Sequence, residues 1–170
     1  MIKLIPIGKV DKRIIEELVK PLTDIFRDAV EIGAGLDILS DSWNLKRQQY
    51  LADSILDSIP DPGHRESHLG VLDVDIFAPG LNFVFGEADA LDKKAIISIT
   101  RLRQEFYGLP SDEDLLKERI LIEAVHELGH VYRLKHCPSS RCVMHFSNTL
   151  RDTDIKGWQF CPVCQRKLAL

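Results

Sequence analysis

Residues 126–137 read His-Glu-Leu-Gly-His-Val-Tyr-Arg-Leu-Lys-His-Cys, and they follow a stretch whose apolar residues recur at helical spacing. The helix is predicted to start with Ser111 as its N-cap and Asp114 at the capping-box position. It should run past His130, and its broad apolar surface is typical of a helix that lies beneath a sheet. The stretch therefore brings several metal-binding side chains to the end of a buried helix.

Two of these side chains, His126 and His130, lie four positions apart, so both project from one face of the helix. Their imidazoles can converge on one zinc ion. Glu127 follows His126 by about 100° of helical rotation, so it lies beside the metal without being a ligand. There it can accept a proton from a bound water, whose pKa zinc lowers to about 7. The alternative is a structural helix with both histidines bonded to backbone groups and Glu127 solvated.

His136 is the candidate for the third protein ligand that a catalytic zinc requires beside one open position. If the helix continued beyond His130, six residues would carry His136 about 240° round the axis and about 9 Å along it. The helix is therefore predicted to end shortly after His130 and the chain to turn back.

Together these motifs resemble the metzincin zinc peptidases, whose pattern is HExxHxxGxxH followed by a methionine-containing turn. The similarity is greatest to the archaemetzincins, which place a cysteine directly after the third histidine. The residues that carry the resemblance are 126–137, Cys142-Val143-Met144 and Cys161-Pro162-Val163-Cys164. They span about residues 126 to 164, and residues 82–87 also look like the family's edge strand on the substrate side.

The resemblance implies a zincin-like fold and a peptidase of poorly defined substrate. It implies that the catalytic zinc is held by His126, His130 and His136. It also implies that Glu127 is the general base and that Met144 lies beneath the metal.

Arg133 departs from the family pattern, because it stands where the family has the glycine that lets the chain turn. We predict that Arg133 takes a positive φ, at a cost of about 1 to 2 kcal/mol that zinc ligation can offset. The departure leaves a second function open, a two-zinc binding or regulatory protein with the same fold and little or no proteolysis.

All the cysteines lie near the end of the chain: Cys137, Cys142, Cys161 and Cys164. Two short pairs, Cx4C and CxxC, suit a tetrahedral structural zinc. A redox CxxC and two local disulfides are the competing interpretations. Such a zinc contributes about 10 to 16 kcal/mol to local folding. Because Cys137 follows His136 directly, it would also hold the third catalytic ligand in place, so we expect two zinc ions per chain.

The rest of the chain predicts an α/β (α+β) fold with a mixed twisted sheet. The 81–86 stretch should form its antiparallel edge strand, where an extended peptide can add, although an ordinary hairpin fits equally well. We predict one compact domain, with an N-terminal subdomain (1–130) and a small zinc-stapled C-terminal subdomain (131–170). The predicted strands are 2–7, 30–39, 69–77, 81–86 and 95–102, and the predicted helices before the motif are 12–29, containing Pro21, and 44–59.

The composition and charge of the chain limit the classes of partner that it can bind. The chain has 170 residues and a formal net charge of -4, without the basic stretches that a nucleic-acid partner requires. No segment approaches the roughly 18 apolar residues of a membrane span, and no signal peptide is recognisable. We therefore expect a cytoplasmic monomer that acts on peptides or proteins.

Overall fold

The computed structural model describes residues 1–168. The strands are β1 (Ile2–Ile7), β2 (Val30–Ile32), β3 (Trp43–Asn44), β4 (Gln49–Leu51), β5 (Ser67–Leu72), β6 (Ile76–Phe77), β7 (Gly86–Asp89) and β8 (Lys94–Ser98). The α-helices are α1 (Lys12–Phe26), α2 (Ala52–Ser58), α3 (Glu113–Val131), α4 (Leu150–Lys156) and α5 (Pro162–Leu168). Within residues 1–168 no helix is long and apolar enough to cross a membrane.

The main sheet has the strand order β2-β1-β5-β8-β7. Its strands run parallel except β7, which pairs antiparallel with β8 in the register Gly86↔Ile97 and Asp89↔Lys94. A second, three-stranded sheet has the order β3-β4-β6. The predicted mixed sheet with an antiparallel edge strand is confirmed.

Both faces of the main sheet are covered, and successive strand residues enter different cores. Ile2 and Leu4 of β1 pack with α1 and α3, whereas Ile5 and Ile7 pack with α2. Such burial on both faces is typical of parallel strands, and it explains why β5 and β8 are buried at every position.

The C-terminal segment belongs to the core of α1 and α3. Val143, Met144, Phe160 and Cys164 are buried in the same cluster as Leu128 of α3. The C-terminal segment therefore shares the core that α1 and α3 form on one face of the main sheet.

The edge strand lies later in the chain than predicted. Residues 81–85, expected to be a strand, form bends and irregular chain outside the sheet ladder, and β7 begins at Gly86. Arg47 Nη2 donates to the carbonyls of Leu81 and Asn82 at 2.8 Å each, so side chains take the place of a neighbouring strand there. We call residues 81–86 the edge segment.

The predicted strand 69–77 is interrupted at residues 73–75, so that β5 and β6 belong to different sheets. Asp73 and Asp75 bind Arg103 and Arg101, and these ion pairs draw the chain away from the sheet before β6. Likewise β8 ends at Ser98 instead of residue 102.

Three predictions in the first half need correction. The predicted helix 44–59 is a β3-β4 hairpin followed by the short α2, because Gln48 takes a φ of 54° at a turn. The predicted strand 30–39 ends at Ile32. The helix over 12–29 ends at Phe26, followed by Arg27 with a φ of 52°, and Pro21 does not split it.

The motif helix is confirmed except at its first turn. Asp112, not Ser111, is the N-cap, because its side chain accepts a hydrogen bond from Leu115 N at 3.0 Å. The helix ends at Val131, just past the second histidine of the motif.

Candidate metal centre and substrate cleft

The end of α3 brings the three motif histidines together. Arg133 adopts a φ of 66°, as predicted, and its N–H donates to His130 O at 2.8 Å. The N–H of Leu134 then donates to Gly129 O at 2.9 Å, which closes the reversal. His136 is thereby carried back, with its ring centroid 5.4 Å from that of His126.

The imidazoles are oriented by backbone carbonyls. Nδ1 of His126 lies 2.7 Å from Val143 O, and Nδ1 of His130 lies 2.8 Å from Leu134 O. These contacts place the proton on Nδ1 of each ring and leave a lone pair on each Nε2.

The two Nε2 atoms of His126 and His130 face each other at 3.2 Å. Two lone pairs at that distance repel unless a cation lies beside them. Tetrahedral zinc with Zn–N bonds of about 2.0 to 2.1 Å separates its ligand nitrogens by about 3.3 Å. One ligand atom from each of the histidines, including His136, lies within 4.8 Å of the others. The donor set therefore fits a zinc ion.

The electrostatics favour neutral histidines. Burial and then the charge of Lys156 lower the pKa of His126 well below its usual value. Burial also lowers the pKa of His130. The pKa of His136 is lowered as well, because the part of its ring that faces the other histidines is shielded from water. Neutral imidazole is the form that binds metal, so the fold holds these rings in a competent state.

Glu127 lies between α3 and the edge segment. It is buried, and a Cβ on Gly86 would lie 2.7 Å from its Oε1. Burial, followed by repulsion from Glu123, raises the pKa of Glu127 well above its usual value. A carboxyl group with a raised pKa beside the histidines is suited to accept and return a proton.

Met144 packs directly against α3 behind the histidines. It has no exposed surface, and a Cβ on Gly129 would lie only 2.3 Å from its Sδ. Its carbonyl accepts from Cys137 N at 2.8 Å, which joins this turn to the segment after His136.

The sulfur atoms of all four cysteines lie within 4.8 Å of one another. They form no disulfide, and Cys137 Sγ lies 3.8 Å from Cys161 Sγ. The backbone N–H of Cys164 leads the contacts that lower the pKa of Cys161 to about 7, while burial raises the pKa of Cys164. Cys161 N donates to Cys142 Sγ at 3.4 Å. Clustered thiols with N–H donors fit a tetrahedral thiolate site.

A buried ion pair that the motifs do not reveal lies behind His126. Lys156 Nζ is 3.0 Å from Glu123 Oε1, and Thr153 Oγ1 donates to the same oxygen at 3.0 Å. Lys156 also approaches Nδ1 of His126 at 3.4 Å. Glu123 could have been suspected, because it precedes His126 by three residues on the helix face, whereas nothing in the sequence singles out Lys156.

Two cavities flank the histidines. One, of about 330 Å³, is lined by the edge segment, by Glu123, His126 and Glu127 of α3, and by residues 146–148; we call it the Glu123 cavity. The other lies on the side of Arg133 and Lys135, and it also has Glu87 in its wall. Phe146 borders both.

A helix that carries HExxH beneath a mixed sheet, with a third histidine returned by a chain reversal, is the arrangement of the zinc metallopeptidases. The comparisons with known proteins agree. The model of peptidase family M54 matches residues 36–170. An archaemetzincin of Methanocaldococcus jannaschii is 47% identical over 163 residues, covering 96% of this chain and 89% of that protein.

Solved structures show the same fold. The crystal structure of an archaemetzincin from Archaeoglobus fulgidus, complexed with malonate, matches with a TM-score of 0.87 and 38% identity, covering 98% of this chain and 99% of that one. A zinc-dependent peptidase from Methanocorpusculum labreanum matches with a TM-score of 0.89 and 26% identity, covering 99% and 100%. The chain therefore belongs to the archaemetzincins of peptidase family M54, a family of zinc metallopeptidases.

Proposed function

We propose that the chain hydrolyses peptide bonds at a zinc held by His126, His130 and His136, with Glu127 as general base. The observation that carries this proposal is the convergence of one nitrogen from each histidine within 4.8 Å. The carbonyl partners of Nδ1 on His126 and His130 support it, because such contacts orient ligating imidazoles.

Zinc at this position would supply a Lewis acid that polarises the scissile carbonyl and lowers the pKa of a water. Glu127 would accept the proton of the attacking water and return it to the departing amine. Burial raises the pKa of Glu127 and so favours its protonated form, the form it would have between accepting the proton and returning it. Met144 would support the ligands from beneath, since it fills the space against Gly129.

We propose that the substrate backbone lies along the edge segment, which borders both cavities that flank the histidines. Arg47 and Gln49 bind the carbonyls of Leu81 and Asn82 from the opposite side and so hold this segment in place. An extended peptide can then pair with the free backbone groups on the cleft side.

We further propose a second, structural zinc held by Cys137, Cys142, Cys161 and Cys164. The close approach of the thiols supports it. Within the C-terminal subdomain (131–170) it would tie the segment that follows His136 to the start of α5, and it would hold His136 in place through the neighbouring Cys137. The cytoplasmic location, the monomeric state and the absence of a nucleic-acid partner remain predictions.

The test compares zinc-loaded wild type with Glu127→Gln on a library of capped peptides. Glu127→Gln should retain its metal and fold but lose hydrolysis by roughly 10² to 10⁴-fold, since it removes the base while keeping the shape. Glu118→Gln, an exposed change on the same helix, should behave like wild type. Little or no hydrolysis by either protein would instead favour the two-zinc binding protein, and equal measurable turnover by both would reject Glu127 as the base.

A further inference from the structure

The ionisable side chains that line the Glu123 cavity are mainly acidic. Glu123 and Glu127 are the ionisable side chains there besides His126, and no lysine or arginine of residues 1–168 is in its wall. The cavity on the other side of the histidines differs, because Arg133 and Lys135 line it. The two sides of the cleft therefore present different electrostatic surfaces to a peptide.

The ion pair beneath the Glu123 cavity is oriented. Lys156 is only 2% exposed, comes from α4 and does not line the cavity. Both Lys156 and Thr153 approach the same oxygen of Glu123, Oε1. The carboxylate thus stands between the buried ammonium group and the cavity, so the negative end of this pair faces the space that a ligand would enter.

A serine with an unbonded hydroxyl also lines the Glu123 cavity. The hydroxyl of Ser147 is buried and has no hydrogen-bond partner among residues 1–168. It is next to Asn148 in the cavity wall, across from the edge segment. A hydroxyl is costly to leave unbonded, and because it can accept as well as donate, it can bond a ligand that carries N–H donors.

Phenylalanine rings form part of the remaining wall. Phe83 and Phe85 stack edge to face with centroids 5.2 Å apart, and Phe146 lies 42% exposed beside the third histidine. The guanidinium group of Arg101 already lies over the Phe83 ring, 4.5 Å from its centroid, whereas the exposed ring of Phe146 can accommodate the methylene stem of a long side chain. A volume of about 330 Å³ is large enough for such a side chain.

We propose that the Glu123 cavity binds the side chain of an arginine or lysine next to the scissile bond, so that the substrates are peptides with a basic residue at that position. This inference rests on the proposed function for the site's location in a peptide cleft. Glu123 is the specificity-determining residue, because its carboxylate supplies the charge that a guanidinium or ammonium group would meet.

Binding can be measured without cleavage in zinc-loaded Glu127→Gln. The probes are a capped, fluorescently labelled alanine-based peptide that carries one arginine and the same peptide with citrulline, which has nearly the same shape and no charge. The arginine peptide should bind about tenfold tighter, the size of one charge-assisted hydrogen bond. Adding Glu123→Gln should bring the ratio of the two affinities close to one, and adding Glu118→Gln should leave it unchanged.

A ratio near one before Glu123 is changed, or a ratio that survives Glu123→Gln, overturns the inference. If Glu123→Gln does not fold because Lys156 loses its counter-charge, Glu123→Gln combined with Lys156→Met removes both charges and takes its place. Cleavage of both peptides by wild type separates the two claims. If wild type hydrolyses both peptides equally well, only the claim that the Glu123 cavity binds a basic side chain is rejected. If the arginine peptide binds selectively but is not hydrolysed, only the peptidase mechanism is rejected.

Discussion

At Arg133 a residue with a side chain occupies a backbone conformation that favours glycine, with a φ of 66°. The hydrogen bond from Leu134 N to Gly129 O holds it there, because it closes the reversal toward His136. The backbone hydrogen bonds of Arg133 and Leu134 therefore offset the strain at Arg133. The chain still turns back toward His136, although it lacks the family's glycine.

We predict that Arg133→Gly leaves the protein as stable or stabilises it by up to about 1 kcal/mol. Relief of the left-handed strain, about 1 to 2 kcal/mol, exceeds the added freedom of the unfolded chain, about 0.4 to 1 kcal/mol. Urea unfolding of the zinc-loaded protein measures the difference. Arg133→Ala separates the loss of the arginine side chain from the relief of backbone strain, since alanine removes the side chain beyond Cβ and keeps the strain. Marked destabilisation by glycine but not by alanine would contradict this account.

Glu87 on β7 faces Asp53 and Asp57 of α2, and one of its oxygens is buried without a partner among the described residues. Burial, then the contact with Asp53, raises the pKa of Glu87 from 4.5 to about 8. The folded protein therefore keeps a proton that the unfolded chain loses, and this group reduces stability progressively as the pH rises from about 4.5 to about 8.

We accordingly predict that Glu87→Gln stabilises the protein above pH 8 and has little effect near pH 5, because glutamine has no proton to lose. The measurement is the urea midpoint of both proteins at pH 5 and pH 8.5. A stability difference that is the same at both values would show that the carboxyl group of Glu87 titrates normally.

At the level of elements, the start of β7 lies almost in contact with α3. A Cβ on Gly86 would lie 2.6 Å from Ile96 O and 2.6 Å from Glu127 Cγ. Neither the backbone carbonyl of β8 nor the buried glutamate can move away cheaply. Glycine at this position therefore lets the edge segment pass directly over the proposed general base.

Gly86→Ala should displace Glu127 and lower kcat by about 10²-fold, the loss that a misplacement of about 1 Å can produce. It should also destabilise the fold by about 1 to 3 kcal/mol through overpacking. Gly35→Ala is the matched control, since its added Cβ would find no atom closer than 3.5 Å. Steady-state kinetics with metal analysis would test this, and unchanged kcat with full zinc content would reject it.

The elements differ in how well the sequence predicts them. α3 is long and its signals are local, so its extent was predictable to within a residue or two. The edge strand was placed too early, because alternating residues in 81–85 resemble a strand while Arg47 and Gln49, about thirty residues away, bind that backbone instead. The hairpin before α2 was mistaken for helix for a similar reason, since its apolar spacing fits both structures.

On the scale of the whole molecule, the two proposed metal sites share one short segment, because Cys137 follows His136 and its N–H donates to Met144 O. We predict about two zinc ions per chain in wild type and one in Cys161→Ser/Cys164→Ser. The same variant should lose peptidase activity, and residues 137–168 should become sensitive to added protease. The control His126→Ala should also bind one zinc but keep its protease resistance. One zinc in wild type, or a resistant tail in the cysteine variant, would contradict the prediction.

The sequence by itself determined the fold class and which histidines and cysteines would cluster, and it predicted the metal ligands and the general base. These depend on spacing along one helix and between adjacent turns, where the geometry of the backbone sets the distances. Tertiary structure alone decided the walls of the cleft, the buried pair of Glu123 and Lys156, and the close passage of Gly86 over Glu127. Those contacts join residues about thirty to forty positions apart, and their distances follow from how sheet, α3 and the C-terminal segment pack into one core.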